Sequence, residues 1–178
     1  MARKAIIEMK FRRRREAKTN YRKRLALAKS GMERIVIRKS NRRILGQIVR
    51  YEQKGDVVLF SVDSNELKAM GWPSRSNRST AYLTGMLLAN KVKQKEKGKE
   101  YIIDIGLSSP VKNSIPFVFA KGCVDNGLKI KGTFEIEANV YDFTQIAKYA
   151  EEVKKKDANA YNRQFGSYLK EKSSPEAI

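Results

Sequence analysis

The chain has 178 residues, 41% of them apolar, and carries 38 Lys and Arg against 19 Asp and Glu, a formal net charge of +19. That length and apolar content suit one compact core and disfavour a second full domain. One cysteine and no histidine exclude an internal disulfide and the usual zinc ligands, and with neither a bilayer-length apolar run nor a signal-type apolar stretch the expectation is a cytosolic, cofactor-free protein.

The charge is concentrated at one end. Residues 1–54 hold 19 Lys and Arg against 4 Asp and Glu, and 12 of the 15 arginines lie in the first 50 residues. Arginine's planar fork pairs two phosphate oxygens at once and stacks on bases, whereas lysine is a hydrated point charge. A polyanionic partner meeting the first half of the chain is therefore expected.

Residues 1–15 show no apolar stripe, and their mutual repulsion predicts an extended arm that orders on a partner. From Glu16 to Ser30 the positions Ala17, Tyr21, Leu25 and Ala28 predict one basic helix seated on the core by a thin stripe and stopped at Gly31. Within this stretch Arg12, Arg13, Arg14, Arg15, Lys18, Arg22, Lys23 and Arg24 interleave with Thr19, Asn20 and Tyr21, groups that hydrogen-bond sugars and stack on unpaired bases. A solvated face needs none of the latter three, so this segment is the first candidate RNA-binding site.

Three Ile- and Val-rich runs, 34–39, 44–51 and 57–62, predict an antiparallel meander. Its first turn, Ser40, Asn41, Arg42 and Arg43, is basic and suits an anion; its second, 53–56, is not. Asp63 and Ser64 are caps for a short helix through Met70, followed by a break around Trp72 with Arg75, Asn77 and Arg78 beyond it. A helix from about Ser79 places Ala81, Gly85, Leu88, Ala89 and Val92 on a small-residue face suited to packing on a sheet. Residues 101–107 read as a buried strand, 116–125 as a helix, and 134–140 as a half-buried strand by strict alternation. Two helices, 143–156 and 159–171, close the chain.

Asp104, in the middle of a strand, invites a nuclease reading, since two-metal phosphodiester cleavage gathers carboxylates around paired ions. Asp63, Glu66 and Asp125 are the other candidates, but caps and turns account for them. No glycine-rich phosphate loop is present, and the absence of histidine removes the commonest general base. No catalytic residue, metal or cofactor is expected.

The blocks FRRRREAKTNYRKRL from Phe11, Arg38–Lys39–Ser40–Asn41 with Gln47, AYLTGMLLANK from Ala81, YIIDIGL from Tyr101 and KG..DNGL from Lys121 resemble the archaeal-type large-subunit ribosomal protein 18 family. That family is related to the eukaryotic carrier of 5S ribosomal RNA. The resemblance implies a ribonuclease H-like, three-layer α/β fold without catalysis. Its parts would be an arm and helix over 1–30, a core over 31–132 opening on the meander, and a mainly helical extension over 133–178. It implies a structural role in the cytoplasmic large ribosomal subunit: binding 5S ribosomal RNA and helping attach it to the large-subunit ribosomal RNA in the central protuberance, beside neighbouring ribosomal proteins and away from membranes. Its RNA contacts would fall on Arg12–Arg15, Lys18, Asn20, Tyr21, Arg22, Arg24, the 40–43 turn, Gln47 and the loop around Trp72. The readings from other classes are a nuclease on the same scaffold and a free RNA chaperone.

Overall fold

In β1, Glu33–Lys39, Ile35 and Ile37 alternate with Arg34, Val36 and Arg38, so one face of the strand is apolar and the other mixed. This alternation decides which side of the sheet is covered. β1 pairs antiparallel with β2, Ile44–Glu52, which pairs antiparallel with β3, Gly55–Asp63. On its other edge β1 runs parallel to β4, Glu100–Asp104, and β4 to the short β5, Lys129–Ile130. The five-stranded mixed sheet has the order β3-β2-β1-β4-β5, and the chain is an α/β protein. The computed structural model describes residues 9–72, 76–95, 98–132, 136 and 144–170, and within the last range the side chains of 148–166.

Helices α3, Arg78–Lys93, and α4, Ile115–Asp125, cover the apolar face. Ile35, Ile37, Ile48, Val62, Leu88, Val92, Tyr101 and Phe119 are fully buried between the layers, each large apolar side chain contributing about 1.5–3 kcal/mol relative to exposure. The small residues of α3 do more than the sheet packing expected of them. A Cβ on Gly85 would overlap the Phe119 carbonyl of α4, and one on Gly122 would overlap the Tyr82 carbonyl of α3. The two helices thus touch backbone to backbone, and the small face of α3 serves α4 as well as the sheet. Cys123, fully buried at this contact, donates its thiol to the Gly85 carbonyl at 3.3 Å.

The predicted helix over 16–30 is broken. A single turn, α1, spans Arg12–Arg15, the chain reverses through Ala17 at φ +50°, and α2 begins only at Tyr21 and ends at Lys29. Asn20 starts α2 by accepting the Lys23 N–H at 3.1 Å, an N-cap competing directly with continuation of a helix from Glu16. The stripe also shifts: Leu25 is exposed while Leu27 is half-buried. Residues 9–15 are accordingly not fully extended; the Phe11 ring lies 5.5 Å from that of Tyr21.

The expected short helix after β3 is a 3-10 helix, Ser64–Met70, started by a capping box between Asp63 and Glu66 and stopped by Gly71 at φ +83°. β4 ends at Asp104 rather than running to residue 107, because the Asp104 carboxylate turns the chain by accepting the Gly106 N–H at 2.8 Å. The strand expected over 134–140 lies outside the described residues except for Ile136, which is not in a strand and packs on the core. Helices α5, Thr144–Lys156, and α6, Ala158–Lys170, bury Ala150, Tyr161 and Phe165 in a small cluster of their own, with Val153 beside it.

Candidate nucleic-acid interface

The second face of the sheet carries Arg34, Val36, Arg38, Gln47, Val49 and Val58, and no helix of the α3–α4 layer reaches it. α2 faces it across a cleft of about 470 Å³. Arg13, Lys18, Thr19, Asn20, Arg24 and Leu27 line the cleft from the arm and α2, and residues 105–108 close its end beyond Asp104.

A chain of ion pairs holds the cleft together. Arg24 of α2 donates to Asp56 at 2.8 Å, and the same carboxylate oxygen lies 2.9 Å from Nη2 of Arg34. Arg34 also approaches Asp104 at 3.6 Å, and Asp104 accepts from Arg38 at 3.2 Å. Arg34 is 2% exposed. Its Nε and Nη2 make no hydrogen bond, so its contact with Asp56 is an ion pair without a hydrogen bond's alignment. Arg38 is pinned harder, because Nη1 donates to the Ile37 and Asp104 carbonyls at 2.9 and 2.8 Å. Gly106, at φ +63°, leaves room for that guanidinium where a Cβ would press on it.

The structure gathers Arg13, Lys18, Thr19, Asn20, Arg24, Arg38, Lys39 and Gln47 of the expected site around this cleft. Arg12, Arg14, Arg15, Arg22 and Lys23 are exposed outside its lining. Several of these groups have local duties as well: Arg12 and Lys18 pair with Glu16 at 3.1 and 2.9 Å, and Arg13 donates to Thr19 at 2.8 Å. The 40–43 turn is exposed and fixed by Ser40, whose hydroxyl accepts the Arg43 N–H at 3.0 Å and donates to the Arg43 carbonyl at 2.9 Å. Arg43 reaches Asp63 at 3.3 Å, leaving Asn41 and Arg42 at the tip.

The loop around Trp72 is held by local hydrogen bonds. Trp72 is half-buried and its indole N–H donates to Thr80 at 3.0 Å, while Asn77 caps α3 by accepting the Thr80 N–H at 2.8 Å. Arg78 is exposed at the start of α3, and Arg75 lies outside the described residues.

Sequence reasoning missed Arg34, Asp56 and Leu27. For Arg34 the signal was present, since it shares strand parity with Val36 and Arg38 and opposes the core residues Ile35 and Ile37. For Asp56 it was not: the carboxylate lies in the turn that looked neutral, and its importance comes from α2 folding back over the sheet.

Asp104 spends its carboxylate on Arg34, Arg38 and the Gly106 N–H, and no group of three His, Cys, Asp or Glu among the described residues is arranged to hold a metal. Burial pushes the Cys123 thiol far above its ordinary range, so it is no nucleophile. The geometry is that of a cationic, partly apolar cleft.

A family model described as "Ribosomal large subunit proteins 60S L5, and 50S L18" matches residues 6–102. The large ribosomal subunit protein uL18 of Methanococcus maripaludis is 42% identical over 181 aligned residues, which cover all of this chain and 93% of that protein.

Proposed function

The chain belongs to the family of large-subunit ribosomal proteins that includes 60S L5 and 50S L18, and from that membership we propose that its arginine-rich face binds 5S ribosomal RNA. It is a structural constituent of the large ribosomal subunit and acts there. Its role is to help fasten 5S RNA to the large-subunit ribosomal RNA in the central protuberance, with neighbouring ribosomal proteins around it.

The observation that carries this reading is the convergence of Arg13, Lys18, Arg24, Arg38 and Lys39 on one cleft, with Arg12, Arg14 and Arg15 exposed on the same single-turn helix as Arg13. Backbone phosphate supplies most of the affinity in such interfaces, and fixed cations set register. The exposed tip of the 40–43 turn adds a second contact, with Gln47 on the sheet between. Tyr21, Arg22, Lys23 and the Trp72–Arg78 segment belong to the same proposed interface.

The strand order, with β2 alone running against its neighbours, supports a ribonuclease H-like reading of the sheet. On it, residues 1–30 are the RNA-binding arm and helix, 31–132 the core and 133–178 the extension. Asp104 then has a structural task and the scaffold performs no catalysis. Crosslinking the protein in cells and sequencing the attached RNA tests the proposal: 5S and large-subunit ribosomal RNA should dominate, and 5S at background level overturns it.

A further inference from the structure

The cleft under α2 has a floor as well as cationic walls. Leu27, Val36, Val49 and Val58 all line it, and Val58, on the edge strand β3, keeps 49% of its surface exposed. A site for phosphate alone needs no apolar floor. A stretch of duplex does not fit, because the cleft of about 470 Å³ is far smaller than a helical segment and α2 closes one side. Only a group with an apolar face and a charged attachment matches both surfaces.

The buried guanidinium narrows the choice. Arg34 is 2% exposed and lines the cleft; its Nη2 is ion-paired with Asp56 at 2.9 Å, while its Nε makes no hydrogen bond. A buried donor left without a hydrogen bond is costly, so a ligand that brings a carbonyl oxygen to Nε is favoured. Guanine, uracil and cytosine carry one and adenine does not. Lys18 and Arg24 also line the cleft, each ion-paired with a carboxylate, Glu16 and Asp56, and still present cationic surface to an attached phosphate.

We infer that the cleft between α2 and the open sheet face takes one unpaired nucleotide of RNA with a carbonyl-bearing base, lying on the valine floor within reach of Arg34. This deepens the RNA-binding reading and rests on it. Single-stranded RNA is ordinarily read in this manner, by splayed bases on flat surfaces with donors at their edges. The inferred site differs from the exposed arginines in being selective for an unstacked base instead of the backbone.

The test compares two variants of the full chain that add the same charge one residue apart. Val58→Glu places a carboxylate on the cleft floor, whereas Val57→Glu places it on the opposite side of β3. Both positions are exposed, 49% and 40%, so both variants are expected to fold, which far-ultraviolet circular dichroism checks. Binding to a 5S ribosomal RNA transcript is measured together with nucleotide-resolution backbone reactivity. Val58→Glu should lose at least tenfold in affinity and restore reactivity at one unpaired G, U or C, and Val57→Glu should stay within threefold of the parent with an unchanged footprint. Equal losses in the two variants, no loss in either, or a footprint unchanged by Val58→Glu would overturn the inference while leaving 5S binding intact. Reactivity restored only at an adenosine would overturn the assignment of Arg34. Failure of the parent chain to bind the transcript would overturn this inference and the 5S reading together.

Discussion

Asp56 stands 2.9 Å from the buried guanidinium of Arg34, and the same oxygen receives Arg24 from α2 at 2.8 Å. One carboxylate at the start of β3 thus neutralises a cation inside the sheet and ties the basic helix above it. Removing one partner of a buried pair is more costly than the pair's net worth, since the other charge stays desolvated. Asp56→Ala should destabilise the fold by roughly 3 kcal/mol, the lower end for a buried pair because Asp56 is itself 26% exposed. Urea unfolding followed by circular dichroism measures it, and a change below about 1 kcal/mol would mean that Asp104 alone compensates Arg34.

The contact between α3 and α4 leaves no space for a methyl group at Gly85. Gly85→Ala gains helix propensity of about 1 kcal/mol but forces the two backbones apart. Overpacking of this kind costs about 1–3 kcal/mol, and here the obstacle is a carbonyl that cannot rotate away. A net loss of stability is expected, together with a weaker Cys123–Gly85 hydrogen bond and faster labelling of Cys123 by a thiol reagent. An alanine variant as stable as the parent would contradict the close approach.

Glu33 gives a pH prediction. Burial alone would raise its carboxyl, but hydrogen bonds from Arg50 at 2.7 Å and Lys99 at 3.2 Å, with their charges, outweigh burial and hold it below the ordinary 4.5. Glu66 is lowered in the same way: burial opposes the shift, while Lys91 at 2.6 Å and the Asp63 N–H bring it about. With the folded value below the unfolded one, the unfolded chain binds more protons as pH falls past about 4.5. The stabilisation is complete above that pH and drains away as pH drops through the lowered folded values. Glu33→Gln should flatten the acid limb of a stability–pH curve and leave its slope between pH 6 and 8 unchanged.

For Asp104 the expected phenotype is mechanical. Asp104→Asn keeps an acceptor for Gly106 but removes the charge facing Arg34 and Arg38, and hydrogen bonds to charged groups are worth about 1.5–3 kcal/mol. Thermal unfolding should move down accordingly, with no RNA cleavage by either form. Magnesium-dependent cleavage that disappears in Asp104→Asn would restore the nuclease reading.

The legible parts of this chain were those governed by local pattern. Strand alternation around Ile35 and Ile37, the capping signals at Asp63 and the Pro116 helix start all translated directly into structure, because each acts within a few residues. The helix over 16–30 was misjudged, since a weak stripe lost to the Asn20 cap and the reversal at Ala17, where side-chain hydrogen bonds outweigh propensity. The local duties of Trp72 and Asn77 were not legible, because Thr80, which accepts from Trp72 and donates to Asn77, is a helix residue that the pattern marked for nothing else. The arginine bias marked the half of the chain that supplies the cations of the cleft. The cleft itself was hidden, because it depends on Asp56 and Arg24, 32 residues apart, meeting across the open face.

The affinity of the full chain for a 5S ribosomal RNA transcript, measured as a function of salt for the parent and for a variant with Arg12, Arg13, Arg14 and Arg15 all changed to Ala, tests the central claim most directly. These side chains are exposed and bury nothing, so the variant is expected to fold. Each lost phosphate contact lowers the slope of log K against log salt by roughly 0.7–0.9. A slope smaller by about 3 if all four arginines touch phosphate, with severely weakened binding at moderate salt, is the predicted result. An unchanged slope and affinity would contradict the account.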